Sequence, residues 1–227
     1  MKKAILSLLI SLFALTTFAQ NDVTKFLGIP VDGTKSEMIR KLKAKGFKSS
    51  PYDNEILEGE FNGYQVRIYF ATANNKVKRI CIHYAEKLNR TSIISRFNEL
   101  LKQFDNKKDN YARLNSACEI SDSDDDEIAQ LIFDSMLKEY GYQAIYAQRP
   151  DAEIDKIIKQ RLSYKYSAEE LSKPDLNIGF EILSEKLSYA SEENKIVWFR
   201  IVEDGHKKYS LLLYYDNEYN RANGEDL

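Results

Sequence analysis

The stretch TKSEMIRKLKAKGFKSSPYDNEILEGEFNGYQVRIYFATANNKVKRICIHY, Thr34 to Tyr84, decides the fold because it reads as one capped helix followed by a three-stranded antiparallel meander. Thr34 is placed to accept from the backbone N–H of Glu37 while the Glu37 carboxylate reaches back to the N–H of Thr34, a capping box that opens a helix. Gly46 closes it, and between these marks Met38, Ile39 and Leu42 recur at helical spacing with basic residues on the opposite side. Glu58 to Phe61 and Tyr64 to Ala71 then flank Asn62-Gly63, a pair suited to the positive φ angles of a two-residue hairpin turn. Val66, Ile68 and Phe70 alternate with Arg67 and Tyr69, and Asn74-Asn75 turns the chain into Val77 to Tyr84. There Ile80, Ile82 and Tyr84 share one face and Arg79, Cys81 and His83 the other. The meander therefore has one apolar face, and the capped helix is the nearest element to cover it.

Beyond the meander, Asn89 or Thr91 caps a helix with the stripe Ile93, Ile94, Phe97, Leu100, Leu101 and Phe104. Residues 105 to 111 form a polar link, and residues 112 to 120 fit no single pattern. An acidic run from Asp122 to Glu127 leads into a helix whose expected buried face is Ile128, Leu131, Ile132 and Met136. Tyr142 to Ala147 reads as a short strand, Asp151 to Leu162 as a helix, and Ser167-Ala168-Glu169-Glu170 as a second capping box. Ile178 to Tyr189 satisfies both periods and is assigned to helix. Ile196 to Val202 and Tyr209 to Tyr215 flank Asp204-Gly205 as a second hairpin, apolar on both faces and so expected inside a sheet. Asn217 to Leu227 is a polar tail. The fold class is α+β, an antiparallel meander and hairpin packed with amphipathic helices.

At the start of the chain, Lys2-Lys3 precedes an apolar run from Ala4 to Phe18, with small residues at Thr17 and Ala19, the pattern of a secretory signal peptide cut after Ala19. No cysteine stands at the cut, and no later run is long and apolar enough for a transmembrane segment, so the expectation is a protein exported to the periplasm or beyond the cell. Cleavage removes two of the 33 basic residues and none of the 35 acidic ones, leaving 31 against 35 and a formal charge of −4 over 208 residues. That balance supplies no concentrated basic face for phosphates, which argues against a nucleic-acid partner. The organisation expected is signal peptide 1–19, a helix-plus-meander module with its following helix over 20–104, and helices plus hairpin over 105–227, the last two either separate or one compact unit.

The chemistry-bearing residues are sparse. The two histidines, His83 and His206, are far apart in sequence, and the chain has no HExxH, CxxC, Gly-x-Ser-x-Gly or phosphate-cradling glycine motif, so no cofactor is implied. Cys81 and His83, two apart on a strand, share a face and are the one candidate thiol–imidazole pair for an enzyme. Cys81 and Cys118 would close a loop of about 37 residues if bridged, and the sequence leaves both the disulfide and the free thiols open. Asp122, Asp124 and Asp126 have the alternating spacing of a calcium loop, but Glu127 replaces its turn glycine and Phe133 its bidentate glutamate. A helix N-terminus rich in carboxylates is the preferred reading.

The arrangement around Gly33-Thr34-Lys35-Ser36-Glu37-Met38 resembles the opening helix of SmpA/OmlA and β-lactamase-inhibitor-like envelope modules over residues 22 to 84. The signal peptide, Phe26-Leu27-Gly28-Ile29-Pro30, and the ending from Tyr214-Tyr215-Asp216-Asn217 to Gly224-Glu225-Asp226-Leu227 resemble uncharacterised exported proteins of Gram-negative anaerobes. The first resemblance implies protein binding in the envelope and carries over no functional residue. With 15 tyrosines and no catalytic equipment, the chain reads as a binding module for a protein or other envelope ligand. Tyr69, Tyr209, Tyr214 and Tyr215 are the expected binding residues, on a sheet face or edge.

Overall fold

A computed structural model describes residues 22–121, 126–139 and 141–220. The segment expected to be a signal peptide, Asp122 to Asp125 of the acidic run and the tail after Asn220 lie outside the described residues. Among those described, six α-helices pack on an eight-stranded antiparallel sheet, with a separate two-stranded hairpin at the start.

The small hairpin pairs β1 (Lys25–Phe26) with β2 (Ile29–Pro30) around Leu27-Gly28, where φ is 50° and 79°. Helix α1 (Lys35–Lys43) begins at Thr34 with both hydrogen bonds of the capping box in place, and buries Met38 and Leu42. The short β3 (Lys48–Ser49) leads into β4 (Leu57–Phe61), β5 (Tyr64–Ala73) and β6 (Lys76–Tyr84). The turns are those expected: Asn62 and Gly63 have φ of 52° and 80°, Asn74 and Asn75 of 48° and 60°.

Helix α2 (Arg90–Asp105), capped by the Asn89 side chain, buries the whole predicted stripe from Ile93 to Phe104. The ambiguous stretch contains a two-residue strand, β7 (Ala112–Arg113), too short to show a period. Helix α3 (Asp126–Glu139) follows, then β8 (Gln143–Ala147), α4 (Asp151–Leu162), α5 (Ala168–Ser172) and α6 (Leu176–Glu192). The chain ends in β9 (Lys195–Gly205), β10 (Lys208–Asn217) and a 3-10 turn at Glu218–Asn220. Ile178 to Tyr189 is thus helical, started by the Asp175 side chain accepting from the N–H of Ile178.

Two expectations are corrected. The second hairpin turns at His206-Lys207, not Asp204-Gly205: Gly205 pairs with Lys208, and His206 and Lys207 take φ of 53° and 55°. The strands run further than their apolar cores because the ladder continues through polar residues on both sides of the turn. Helix α3 buries Ala129 and Phe133, whereas Ile128, Leu131 and Ile132 are 57%, 71% and 58% exposed and Met136 is also exposed. Phe133 is drawn inward by Tyr142, stacked at 5.0 Å, and Tyr209, edge-on at 5.1 Å. With its neighbours Gln130 and Asp134 bonded to the Tyr209 hydroxyl, that contact sets the rotation of the helix.

The strand order is β3-β4-β5-β6-β10-β9-β8-β7, so the C-terminal β10 lies between the N-terminal meander and the rest. The β6–β10 ladder pairs His83 with Leu212, Cys81 with Tyr214 and Arg79 with Asp216. One apolar cluster spans both halves of the chain, from Phe26 and Met38 to Phe199 and Tyr215, on the sheet face covered by α1, α2 and α3. On the other face, α4, α5 and α6 cover only the β7–β9 end, through a second cluster including Ile154, Ile158, Leu171, Ala147 and Ile196. Both outer strands, β3 and β7, are two residues long, which limits the unpaired edge offered to another chain.

Candidate functional site

The half of the second face formed by β5, β6 and β10 is the best candidate for a site, because no described helix packs on it. Alternation places Tyr69, Cys81, Tyr214 and Trp198 on this face, and the registers align them in one row across four strands. The flanking row is Arg67, His83, Leu212 and Arg200 on one side and Ala71, Arg79, Asp216 and Ile196 on the other. Tyr69, Cys81, His83, Leu212, Tyr214 and Trp198 are each half-buried, the exposure of a sheet face without a lid.

The row is held rigidly. Trp198 and Tyr214 stack at 4.0 Å with 17° between their planes, and the Arg79 guanidinium lies over both rings at 5.3 and 5.2 Å. Arg79 is fixed from below by Asp216, which also accepts from the Trp198 indole N–H at 2.8 Å. Asp216 is itself buried, so this carboxylate satisfies three N–H donors from two side chains away from water. The hydrogen bond to Asp216 raises the Arg79 pKa above its already high ordinary value, against the effect of burial. The result is a flat cationic and aromatic platform, bordered at Trp198 by the α4–α6 layer and lined on its far side by Tyr69 and His83, whose rings are 6.4 Å apart.

The four expected binding tyrosines do not stay together. Tyr69 and Tyr214 lie on this open face, but Tyr209 and Tyr215 are core residues: they are odd-numbered on β10, and with Leu211 and Leu213 they point to the covered face. Tyr209 donates to Asp134 at 2.6 Å and accepts from Gln130 at 2.7 Å, while Tyr215 packs against Phe26 at 5.0 Å. Trp198 and Arg79 are the members that sequence reading missed. The signal was partial, since a turn at His206-Lys207 alone sets Tyr214 opposite Phe199, and Trp198 becomes its partner only through the one-residue register shift after Lys208.

Cys81 and His83 do share the face, but not as an activated pair. Burial pushes the Cys81 thiol up to about 11, outweighing the opposing hydrogen bond with Tyr214 and the charge of Arg79. Burial likewise lowers the His83 pKa, with Asp204 opposing and Arg67 and Lys87 reinforcing. A thiol nucleophile needs the reverse, a depressed pKa beside a cationic partner. His206 sits in the exposed turn, six residues before Leu212, the β10 partner of His83, and so about 20 Å away along the strand. Cys81 and Cys118 are both free, Cys81 in mid-strand and Cys118 exposed, which corrects the disulfide alternative: one is fixed in the sheet face while the other lies in the loop after β7.

Of the calcium-loop residues, Asp122 and Asp124 lie outside the described residues and Asp126 is the first residue of α3. Among the described residues, no three His, Cys, Asp or Glu side chains gather as metal ligands, and no helix is long and apolar enough to cross a membrane. Compared with known proteins, the chain matches no family model, no curated protein and no solved structure.

Proposed function

We propose that this chain is an exported binding module of the cell envelope that holds a protein partner on the open half of its sheet. The observation that supports the reading is the Trp198–Tyr214 stack under the Arg79 guanidinium, in a row with Tyr69, where Trp198 borders the α4–α6 layer and the rest of the row lies on the half of the face that these helices leave uncovered. Stacked, buttressed aromatic rings and an arginine offer large contact area at little cost in side-chain entropy, the composition of interface hot spots. Polar tips at the tyrosine hydroxyls and the guanidinium leave the same surface wettable when it is free. The raised Cys81 pKa gives no support to the rival reading of a thiol enzyme.

The test is site-specific photo-cross-linking from positions 69 and 214 in the native envelope, followed by Tyr69→Ala and Tyr214→Ala variants. The partner recovered at both positions should be lost or reduced at least about tenfold in the double variant, as expected when two hot-spot aromatics are truncated. Recovery of the same partners at unchanged yield from the folded double variant would remove the basis of the interaction reading.

A further inference from the structure

A cleft of about 600 Å³, lined by none of the aromatic-platform residues, is within the size range of small-molecule sites. Its walls are the lead-in from Asp22 to Gly28, the end of α2 at Gln103-Phe104, the Asp109 to Tyr111 loop, Gln148 to Pro150 and Lys195. One side is apolar, with Phe61, Phe104, Tyr111 and Tyr215. The other carries Lys25, Lys107, Arg149 and Lys195 against the carboxylates of Asp22 and Asp109. Within a mildly acidic sequence, four cations against two carboxylates thus line this depression.

The cationic side is built before any ligand arrives. Arg149 is clamped by Glu193, Nε to Oε2 at 2.5 Å, and by Glu153 at 3.1 Å. Glu193 is in turn held by the Tyr189 hydroxyl and the backbone N–H of Lys195. The ammonium of Lys195, only 11% exposed, and Arg149, 26% exposed, converge on one carboxylate, that of Asp22, at 2.7 and 3.8 Å. Asp22 itself is 63% exposed, so it covers these cations from the solvent side. The hydrogen bond from Lys195, with further help from the charges of Arg149 and Lys25 and despite some burial, lowers its pKa.

The adjoining main chain does not depend on that contact. The Thr24 hydroxyl donates to the Asp216 carbonyl, Val31 N–H donates to the Thr24 carbonyl at 2.8 Å, and the Gln148 side chain clasps Lys25 N–H and C=O at 2.6 and 2.8 Å. The Asp22 side chain is therefore a removable occupant of a fixed anion seat. Arg149 keeps Glu193 and Glu153 whether or not Asp22 is there, whereas the Lys195 ammonium is paired with the Asp22 carboxylate, so removing Asp22 leaves that ammonium to be matched by another anion beside an apolar wall.

We infer that this cleft binds a small organic carboxylate with an apolar body, whose carboxylate takes the seat on Lys195 and Arg149 now filled by Asp22, its body lying against Phe61, Phe104 and Tyr111. Asp22 acts as a competitor built into the chain. The proposal does not depend on the sheet-face reading, since the aromatic platform shares no residue with this cleft.

The experiment is a titration of the purified full chain with 2-naphthoate and with its neutral counterpart 2-naphthalenemethanol, read by naphthalene fluorescence anisotropy. Asp22→Asn should strengthen naphthoate binding by about tenfold and leave the alcohol within about twofold, because one competing charge is removed. Lys195→Met should weaken naphthoate by about tenfold or more. Lys25→Gln, at an exposed position, provides a variant that keeps the fold and should weaken it by about threefold. Naphthoate binding seen only in Asp22→Asn supports the competitor role as well. Equal affinity for acid and alcohol, no gain in Asp22→Asn, or no naphthoate binding by either protein at millimolar concentration overturns the proposal.

Discussion

Arg79 and Asp216, 137 residues apart, face each other across the β6–β10 ladder through two hydrogen bonds, Nε to Oδ1 at 2.5 Å and Nη2 to Oδ2 at 2.7 Å. That ladder is the seam where the N-terminal meander meets the C-terminal hairpin, and Asp216 also satisfies the Trp198 indole. Asp216→Asn keeps the shape but supplies one acceptor oxygen for three donors and removes the charge opposite Arg79. We expect a loss of about 2 kcal/mol, below the ~3–5 kcal/mol of breaking a fully buried pair because Arg79 reaches solvent. Urea denaturation of the two proteins measures it; a midpoint unchanged at equal slope would mean that water replaces the carboxylate without cost.

The local features were legible because each is decided by neighbours in sequence: both capping boxes, the Asn62-Gly63 and Asn74-Asn75 turns and the α2 stripe need no tertiary information. Features decided by a distant partner were not. Helix α3 carries two apolar stripes, and only contact with Tyr142 and Tyr209 makes Phe133 the inner one. The grouping of Tyr209, Tyr214 and Tyr215 overlooked a rule that was available, since alternation sends the odd positions to one face and the even one to the other. The Asp22 seat depends on contacts over more than a hundred residues, for which no periodicity exists.

The α3 correction predicts an inverted pattern of mutational sensitivity. Phe133→Ala should cost about 3–5 kcal/mol, as for other buried phenylalanines. Leu131→Ala, which removes a side chain standing in solvent, should stay within about 0.5 kcal/mol. Thermal or urea unfolding of both variants decides it, and the reverse ranking would restore Ile128, Leu131, Ile132 and Met136 as the inner face.

Thiol reactivity should split between the two cysteines. At neutral pH the exposed Cys118 should react promptly with iodoacetamide, while Cys81, with its pKa near 11 and its place in the sheet face, should react slowly. The Cys81 rate should rise about tenfold for each pH unit below that value, tracking the thiolate fraction. Alkylation after unfolding without reductant should label both, and labelling of neither would mean that they are bridged.

His83 should make the fold acid-sensitive above the carboxylate range. Burial holds its folded pKa below the ordinary 6.5, so the folded state resists a proton that the unfolded chain accepts. Both states are neutral above 6.5, and no stability depends on this histidine there. As pH falls through 6.5 towards the folded value the unfolded state gains the proton first and stability declines. His83→Gln should flatten that part of a stability profile taken between pH 7.5 and about 5; an identical decline in the variant would assign it to other groups.

The β9–β10 turn places two side chains where the backbone disfavours them. His206 and Lys207, at φ of 53° and 55°, occupy the central positions of a two-residue hairpin loop, where a residue with a Cβ meets its own carbonyl. Asn at the first position and Gly at the second relieve most of that contact, although Gly also gives the unfolded chain more freedom. His206→Asn with Lys207→Gly should therefore raise stability by about 1 kcal/mol, the steric relief exceeding the entropic loss. Neither side chain lies on the aromatic platform or in the cleft, so partner capture from positions 69 and 214 should not change. Chemical denaturation of the double variant reads the gain. No gain would mean that the positive φ angles of His206 and Lys207 carry no strain to relieve, and a loss that their side chains contribute more than that strain costs.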